Sequence, residues 1–156
     1  MDSTGKIAVL FVCTGNICRS PMAEAIFIHH VKNAGLSHRF EIASAATTDW
    51  EIGELPHSGT REVLRIHNIP LNPAKRAAQI QLSDYDHYDY ILAMDAYNLR
   101  LLRNSRKIRR LMEFGAMEGP IDVPDPYYTG DFESVYQMID AACIRLLEFI
   151  RRENRL

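Results

Sequence analysis

IAVLFVCTGNICRSP, residues 7–21, sets out a strand, a tight loop and the start of a helix in fifteen positions. Ile7–Val12 is an unbroken apolar run rich in β-branched and aromatic residues, bounded by a turn, as expected of a strand buried on both faces. Gly15 and Asn16 both tolerate positive φ and let a short loop curl. Ser20 and Pro21 are suited to the N-cap and first position of the helical pattern Pro21–Ala34.

The same alternation continues along the chain. Phe40–Ala43 and Tyr90–Met94 read as further strands and Ile108–Phe114 as a weaker one, separated by helical patterns at Gly59–Asn68 and Ala96–Asn104. A last helix is expected over Phe132–Arg152, where Val135, Met138, Ile139, Ala142, Leu146 and Phe149 recur at helical spacing. This order predicts an α/β fold with a mostly parallel sheet and right-handed crossovers. EGPIDVPDPYYTGD, Glu118–Asp131, holds three prolines and two glycines and reads as a loop. Ligands in such sheets bind beyond the carboxyl ends of the strands, where residues 13–20 fall.

Composition narrows the class. The 156 residues fit one domain, 1–156, and 47% hydrophobic with 24% charged residues is ordinary for a globular protein. A net charge of −2 gives no global field that would favour nucleic acid or an anionic membrane. No apolar stretch reaches transmembrane length, and MDSTGKIAVLFVCTGN lacks a basic n-region and a cleavage site, so a cytoplasmic, monomeric protein is expected. Three cysteines do not make a disulfide framework. The six histidines include no helical metal pair and no second cysteine pair completes a zinc site, so neither metal nor cofactor is expected.

The loop carries its own chemistry. Inward-facing amides from Thr14, Gly15, Asn16, Ile17 and Cys18, followed by a helix N-terminus at Arg19 and Ser20, would cradle phosphate. Arg19 would add a planar fork for two oxygens, and Cys13 lies in a field that favours thiolate. A free thiol is roughly 3% ionised at pH 7, so full ionisation gains only about thirtyfold, near 2 kcal/mol. Prearranged donors around a transferring phosphoryl group must therefore supply most of any acceleration. The residues alone leave the acid open among Asp122, Asp125, Asp131 and Glu133.

VCTGNICRSPMAEA, together with DPYY at 125–128, resembles the low-molecular-weight protein tyrosine phosphatases. SAAT…W…G at Ser44–Gly53 and DYILAMD..N at Asp89–Asn98 match as well, so the similarity spans almost the whole chain. The resemblance implies a three-layer α/β/α fold on a four-stranded parallel sheet. It implies hydrolysis of phosphotyrosine on tyrosine-phosphorylated proteins through a cysteinyl-phosphate. Cys13 would be the nucleophile, Arg19 the clamp and Asp125 the acid that later acts as base. Ser20 would donate to the Cys13 thiolate, Asn16 would hold the loop, and Ser44 would support it. Trp50, Tyr127, Tyr128 and Ile17 would line the slot; members acting on phosphoarginine carry threonine where Ile17 stands. Cys18 could form a reversible disulfide with Cys13, or be a buried loop residue.

Three departures stand out: Thr14 replaces a common leucine, Ala46 a glycine, and NPAKRAAQ at 72–79 replaces a pattern that holds a supporting histidine. Cys143 is expected in the core, and His57 and His29-His30 at surface or helix-start positions. The basic run RNSRKIRR, Arg103–Arg110, reads as a solvated face. Arsenate reduction would need relay thiols, and only Cys143 remains. A phosphocarrier would need neither Asp125 nor an aromatic slot.

Overall fold

The computed structural model describes residues 5–156; the first four residues of the expected domain lie outside them. Four parallel strands, β1 (Ile7–Cys13), β2 (Phe40–Ala46), β3 (Tyr90–Ala93) and β4 (Ile108–Arg110), form a sheet in the order β2-β1-β3-β4. Six α-helices join and cover them: α1 (Arg19–Asn33), α2 (Ser58–Ile66), α3 (Leu82–His87), α4 (Ala96–Leu101), α5 (Pro126–Thr129) and α6 (Phe132–Asn154).

β1 is central and every one of its residues is buried, as an apolar run without alternation requires. Its side chains nonetheless divide between two cores. Ile7, Val9, Phe11 and Cys13 pack with α1, α2 and α6, whereas Ala8, Leu10 and Val12 pack with residues of α3, β3 and the segment after α4. Edge-to-face rings extend the larger core from Phe11 through Phe27 to Phe40, with centroids 5.5 and 5.8 Å apart. The result is the expected α/β/α arrangement. After β1 the chain moves to one side for β2 and then returns to the other for β3. The crevice between the carboxyl ends of β1 and β3 is therefore a topological switch point, and residues 14–18 open there.

Several boundaries differ from expectation. β2 runs to Ala46 because Ala46 pairs with Cys13 and bridges to Gln79, so the residue in place of a glycine extends the strand. Ile108–Phe114 is a three-residue strand followed by a 3-10 turn at Leu111–Phe114, whose apolar side chains Leu111, Met112 and Phe114 enter the α6 side of the core. α4 stops at Leu101 rather than Asn104. α3 and the single turn α5 lie in segments too short to show a helical period; α5 begins where Asp125 accepts from Tyr127 N–H and Pro126 fixes the first φ.

Three arginines of the basic run have partners elsewhere in the fold. Arg103 lies over the Tyr85 ring at 5.0 Å, Arg109 lies over Phe114 at 4.8 Å beside Glu113, and Arg110 pairs with Asp122. His57 caps α2 by accepting from Gly59 N–H, and its ring stacks on Phe132 with centroids 5.0 Å apart. A Cβ on Gly59 would lie 2.4 Å from the Phe132 ring. Gly59→Ala should therefore lower stability by about 1–2 kcal/mol, the overpacking outweighing the gain in helix propensity. Urea unfolding of the two proteins measures this directly; an unchanged midpoint would mean that Phe132 turns aside freely. Among the described residues, no helix is long and apolar enough to cross a membrane.

Candidate active site

The carbonyl oxygens of the 13–18 loop are held from outside. Thr14 O accepts from Thr48 N and Oγ1, Ile17 O accepts from His57 N at 2.7 Å, and Cys18 O accepts from Thr60 Oγ1 at 3.0 Å. No peptide bond among the described residues is cis, so the following amides of Gly15, Cys18 and Arg19 point the opposite way, into the loop. Asn16, fully buried with φ +57°, makes the left-handed bend. Gly15 does not adopt positive φ; a Cβ there would lie 3.3 Å from the Glu51 side chain, close enough that Glu51 would have to shift slightly.

Cys13 Sγ lies 3.0 Å from Ser20 Oγ and accepts from Ser20 N–H at 3.4 Å. Helix α1 begins at Arg19, so Ser20 is not its N-cap; Cys18 occupies that position and makes no side-chain cap. The serine hydroxyl is committed to the thiol instead. Asn16 Nδ2 donates to Ser20 Oγ at 2.7 Å and to Ser44 Oγ at 2.9 Å, so the expected trio is in contact.

Arg19 is 2% exposed. Its Nη1 donates to Asp95 at 2.7 Å and to the Val123 carbonyl at 2.9 Å. Its Nη2 lies 3.5 Å from both Asp125 and Thr14 Oγ1, and its buried Nε has no hydrogen-bond partner among the described residues. Nε and Nη2 share one edge of the guanidinium, the edge suited to two oxygens of a single phosphoryl group. Burial works against the charge on Arg19, but the Cys13 thiolate, Asp95 and Asp125 outweigh it and hold the guanidinium above its ordinary pKa. Thr14, in place of leucine, accepts from Asn98 Nδ2 at 3.0 Å and so ties the loop to α4.

Neither of the other two thiols is disposed to ionise. Burial, then the charge of Cys13, pushes Cys18 up to about 12, and burial raises Cys143 in the core well above the ordinary thiol value. All three cysteines are free. Ile17, Trp50, Tyr127 and Tyr128 line one cleft with Thr14, Gly15, Glu51 and Asp125. Trp50 and Tyr128 are 70% and 80% exposed, so they stand at the mouth of the cleft rather than forming deep walls. Among the described residues, no group of three or more His, Cys, Asp or Glu is placed to hold a metal ion.

Residues 8–156 match the family model for low molecular weight phosphotyrosine protein phosphatase. The chain belongs to that family. It is 46% identical over 156 residues to low molecular weight protein-tyrosine-phosphatase YfkJ of Bacillus subtilis, covering 96% of this chain and 99% of that one. The crystal structure of YfkJ superposes with a TM-score of 0.91 over 97% of this chain and 99% of that chain, at 45% identity. PtpA of Staphylococcus haemolyticus, of the same description, is 41% identical over 155 residues, 96% of this chain and 97% of that one. A Drosophila arginine phosphatase is also similar, with a TM-score of 0.82 at 33% identity over 92% of this chain and 97% of that one. The phosphatase fold thus does not by itself fix the phosphoamino acid.

Reading the sequence missed several residues around this phosphatase site: Asp95, Asn98, Val123, Glu51, Glu24 and Lys75. Asp95 and Asn98 left a signal, since both are fixed letters of the matching segment at Asp89–Asn98, and Asp95 is an acidic residue directly beyond the apolar end of β3. The others are ordinary polar or apolar residues in loops and helices.

Proposed function

We propose that the protein, acting as one domain over residues 1–156, is a protein-tyrosine phosphatase that hydrolyses phosphotyrosine on proteins through a cysteinyl-phosphate. The observation that supports this reading is the buried Arg19, whose Nη1 is anchored by Asp95 and the Val123 carbonyl, which leaves its Nε–Nη2 edge for two oxygens of a phosphoryl group.

The Cys13 thiolate attacks phosphorus as the bond to the tyrosine oxygen breaks. Arg19 and the loop amides hold the equatorial oxygens, whose charge is spread in the transition state. Asp125 stands across the cleft and delivers a proton to the departing oxygen. It then takes a proton from the water that attacks the cysteinyl-phosphate, and the thiolate leaves, stabilised by the Ser20 hydroxyl. The apolar Ile17 in the cleft favours packing against a phenyl ring rather than against a guanidinium, and the aromatic mouth suits a tyrosyl side chain. A cytoplasmic monomer without metal or cofactor fits this chemistry.

Two measurements test the reading. Rates on phosphotyrosine, phosphoserine and phosphoarginine peptides should favour phosphotyrosine; a preference for phosphoarginine would reassign the substrate. Asp125→Ala should slow hydrolysis of an alkyl-substituted phenyl phosphate by about 10²–10³ and that of a nitrophenyl phosphate much less, since only the poor leaving group needs the proton. Equal losses on both would remove Asp125 from the acid role.

A further inference from the structure

We infer that Lys75, through its ion pair with Glu24, is a positioning residue for the Cys13 thiolate: it anchors the outer end of the hydrogen-bond relay that holds Ser20 oriented toward sulfur. Lys75 lies on the segment between α2 and α3, and Glu24 is one turn after Ser20 on α1. The ammonium is 3.3 Å from Glu24 Oε1 and donates to the Ser44 carbonyl at 3.1 Å, with both side chains nearly nine-tenths buried. It occupies the region from which the sequence lacks the family's supporting histidine. This inference rests on the phosphatase reading for what the thiolate does.

The relay follows from counting protons. A Glu24 carboxylate only accepts, so Ser44 Oγ donates its single proton to it. Ser44 can then only accept from Asn16 Nδ2. Ala78 N–H donates to Asn16 Oδ1 at 3.1 Å, which fixes the amide so that its second N–H goes to Ser20 Oγ. The Ser20 proton is left for Cys13 Sγ at 3.0 Å, with the Ala45 carbonyl at 3.5 Å its only longer rival. Every side chain of the relay is buried or nearly so, and such a network orients its groups only when fully satisfied. Without the ammonium, Glu24 is an unpaired, largely buried carboxylate that gains by turning to water. Ser44 then loses its acceptor and can turn its own proton toward Asn16, which loosens the amide that holds Ser20 oriented toward sulfur.

The phosphoryl group is held by Arg19 and the amides, so the relay should affect kcat rather than KM. Lys75→Met is expected to lower kcat on para-nitrophenyl phosphate about tenfold with KM within about twofold, and to slow alkylation of Cys13 by iodoacetate by a similar factor. Lys75→Arg should restore most of both. Glu24→Gln should match Lys75→Met, and the double variant should be no slower than either, because the pair acts as one unit. If the methionine variant does not fold, Lys75→Gln, which can still donate to the Ser44 carbonyl, takes its place with the same expected losses. A folded neutral variant that turns over and alkylates at the parent rates would overturn the inference, as would losses that multiply in the double variant. Parent protein that hydrolyses no aryl phosphate, yet alkylates at a rate set by Lys75, would overturn the phosphatase reading and leave the relay standing.

Discussion

Cys13→Ser protein is expected to fold and to bind inorganic phosphate, yet to hydrolyse aryl phosphates at least about 10⁴-fold more slowly than the parent. The substitution is nearly isosteric at a position 3% exposed, and a hydroxyl can keep the contact with Ser20, so the loop has no cause to rearrange. What is lost is the nucleophile. A serine hydroxyl is far harder to ionise than a thiol. Neither other cysteine can substitute: Cys18 is held as a thiol with a pKa of about 12, and Cys143 lies fully buried in the core. Steady-state rates and the phosphate-dependent rise in melting temperature test both halves. Hydrolysis within about a hundredfold of the parent would place the nucleophile elsewhere.

Arg19→Ala should reduce kcat/KM by about 10³, and Arg19→Lys by nearly as much. Lysine keeps the charge but not the two parallel donors of the Nε–Nη2 edge, and its flexible point charge cannot reproduce them. The two variants should separate in stability. Alanine leaves Asp95 and the Val123 carbonyl without their shared donor in a largely buried setting, at a cost of about 1–3 kcal/mol. Asp95 also caps α4 by accepting from Asn98 N–H, so part of this loss should appear as fraying near the switch point. Lysine can still reach Asp95 and should lose less. Urea unfolding alongside kcat/KM distinguishes the effects; a lysine variant with near-parent activity would mean that charge, not the planar fork, is what the site uses.

The legible and illegible parts of this molecule divide along a physical line. β1 and the loop after it were readable because their signals are local: an apolar run too short for a helix, residues fit for a tight curl, and a helical period immediately following. α6 was readable within two residues of its end because its period persists over 23 residues. β4 was over-extended because Leu111, Met112 and Phe114 are apolar for a 3-10 turn that enters the core, and apolarity without a period does not separate the two. Ser20 was misplaced as a cap for a related reason. Serine at a helix start ordinarily serves the backbone; the local pattern does not reveal that its hydroxyl is engaged with sulfur, which the resemblance implied and the 3.0 Å contact shows.

Sequence by itself determined the alternating architecture, the position of the loop beyond the first strand, and the residue types at Cys13 and Arg19. The Asp-Pro-Tyr-Tyr segment singled out Asp125 by resemblance, whereas its place beside Arg19 across 106 residues came from the fold. The tertiary structure alone decided that Asp95 anchors the guanidinium from 76 residues away, and that Lys75 and Glu24 stand where a histidine was missing. Periodicity encodes which face of an element is buried. It does not encode which polar group waits on the other side, because that pairing is set by how strands are ordered and where crossovers return.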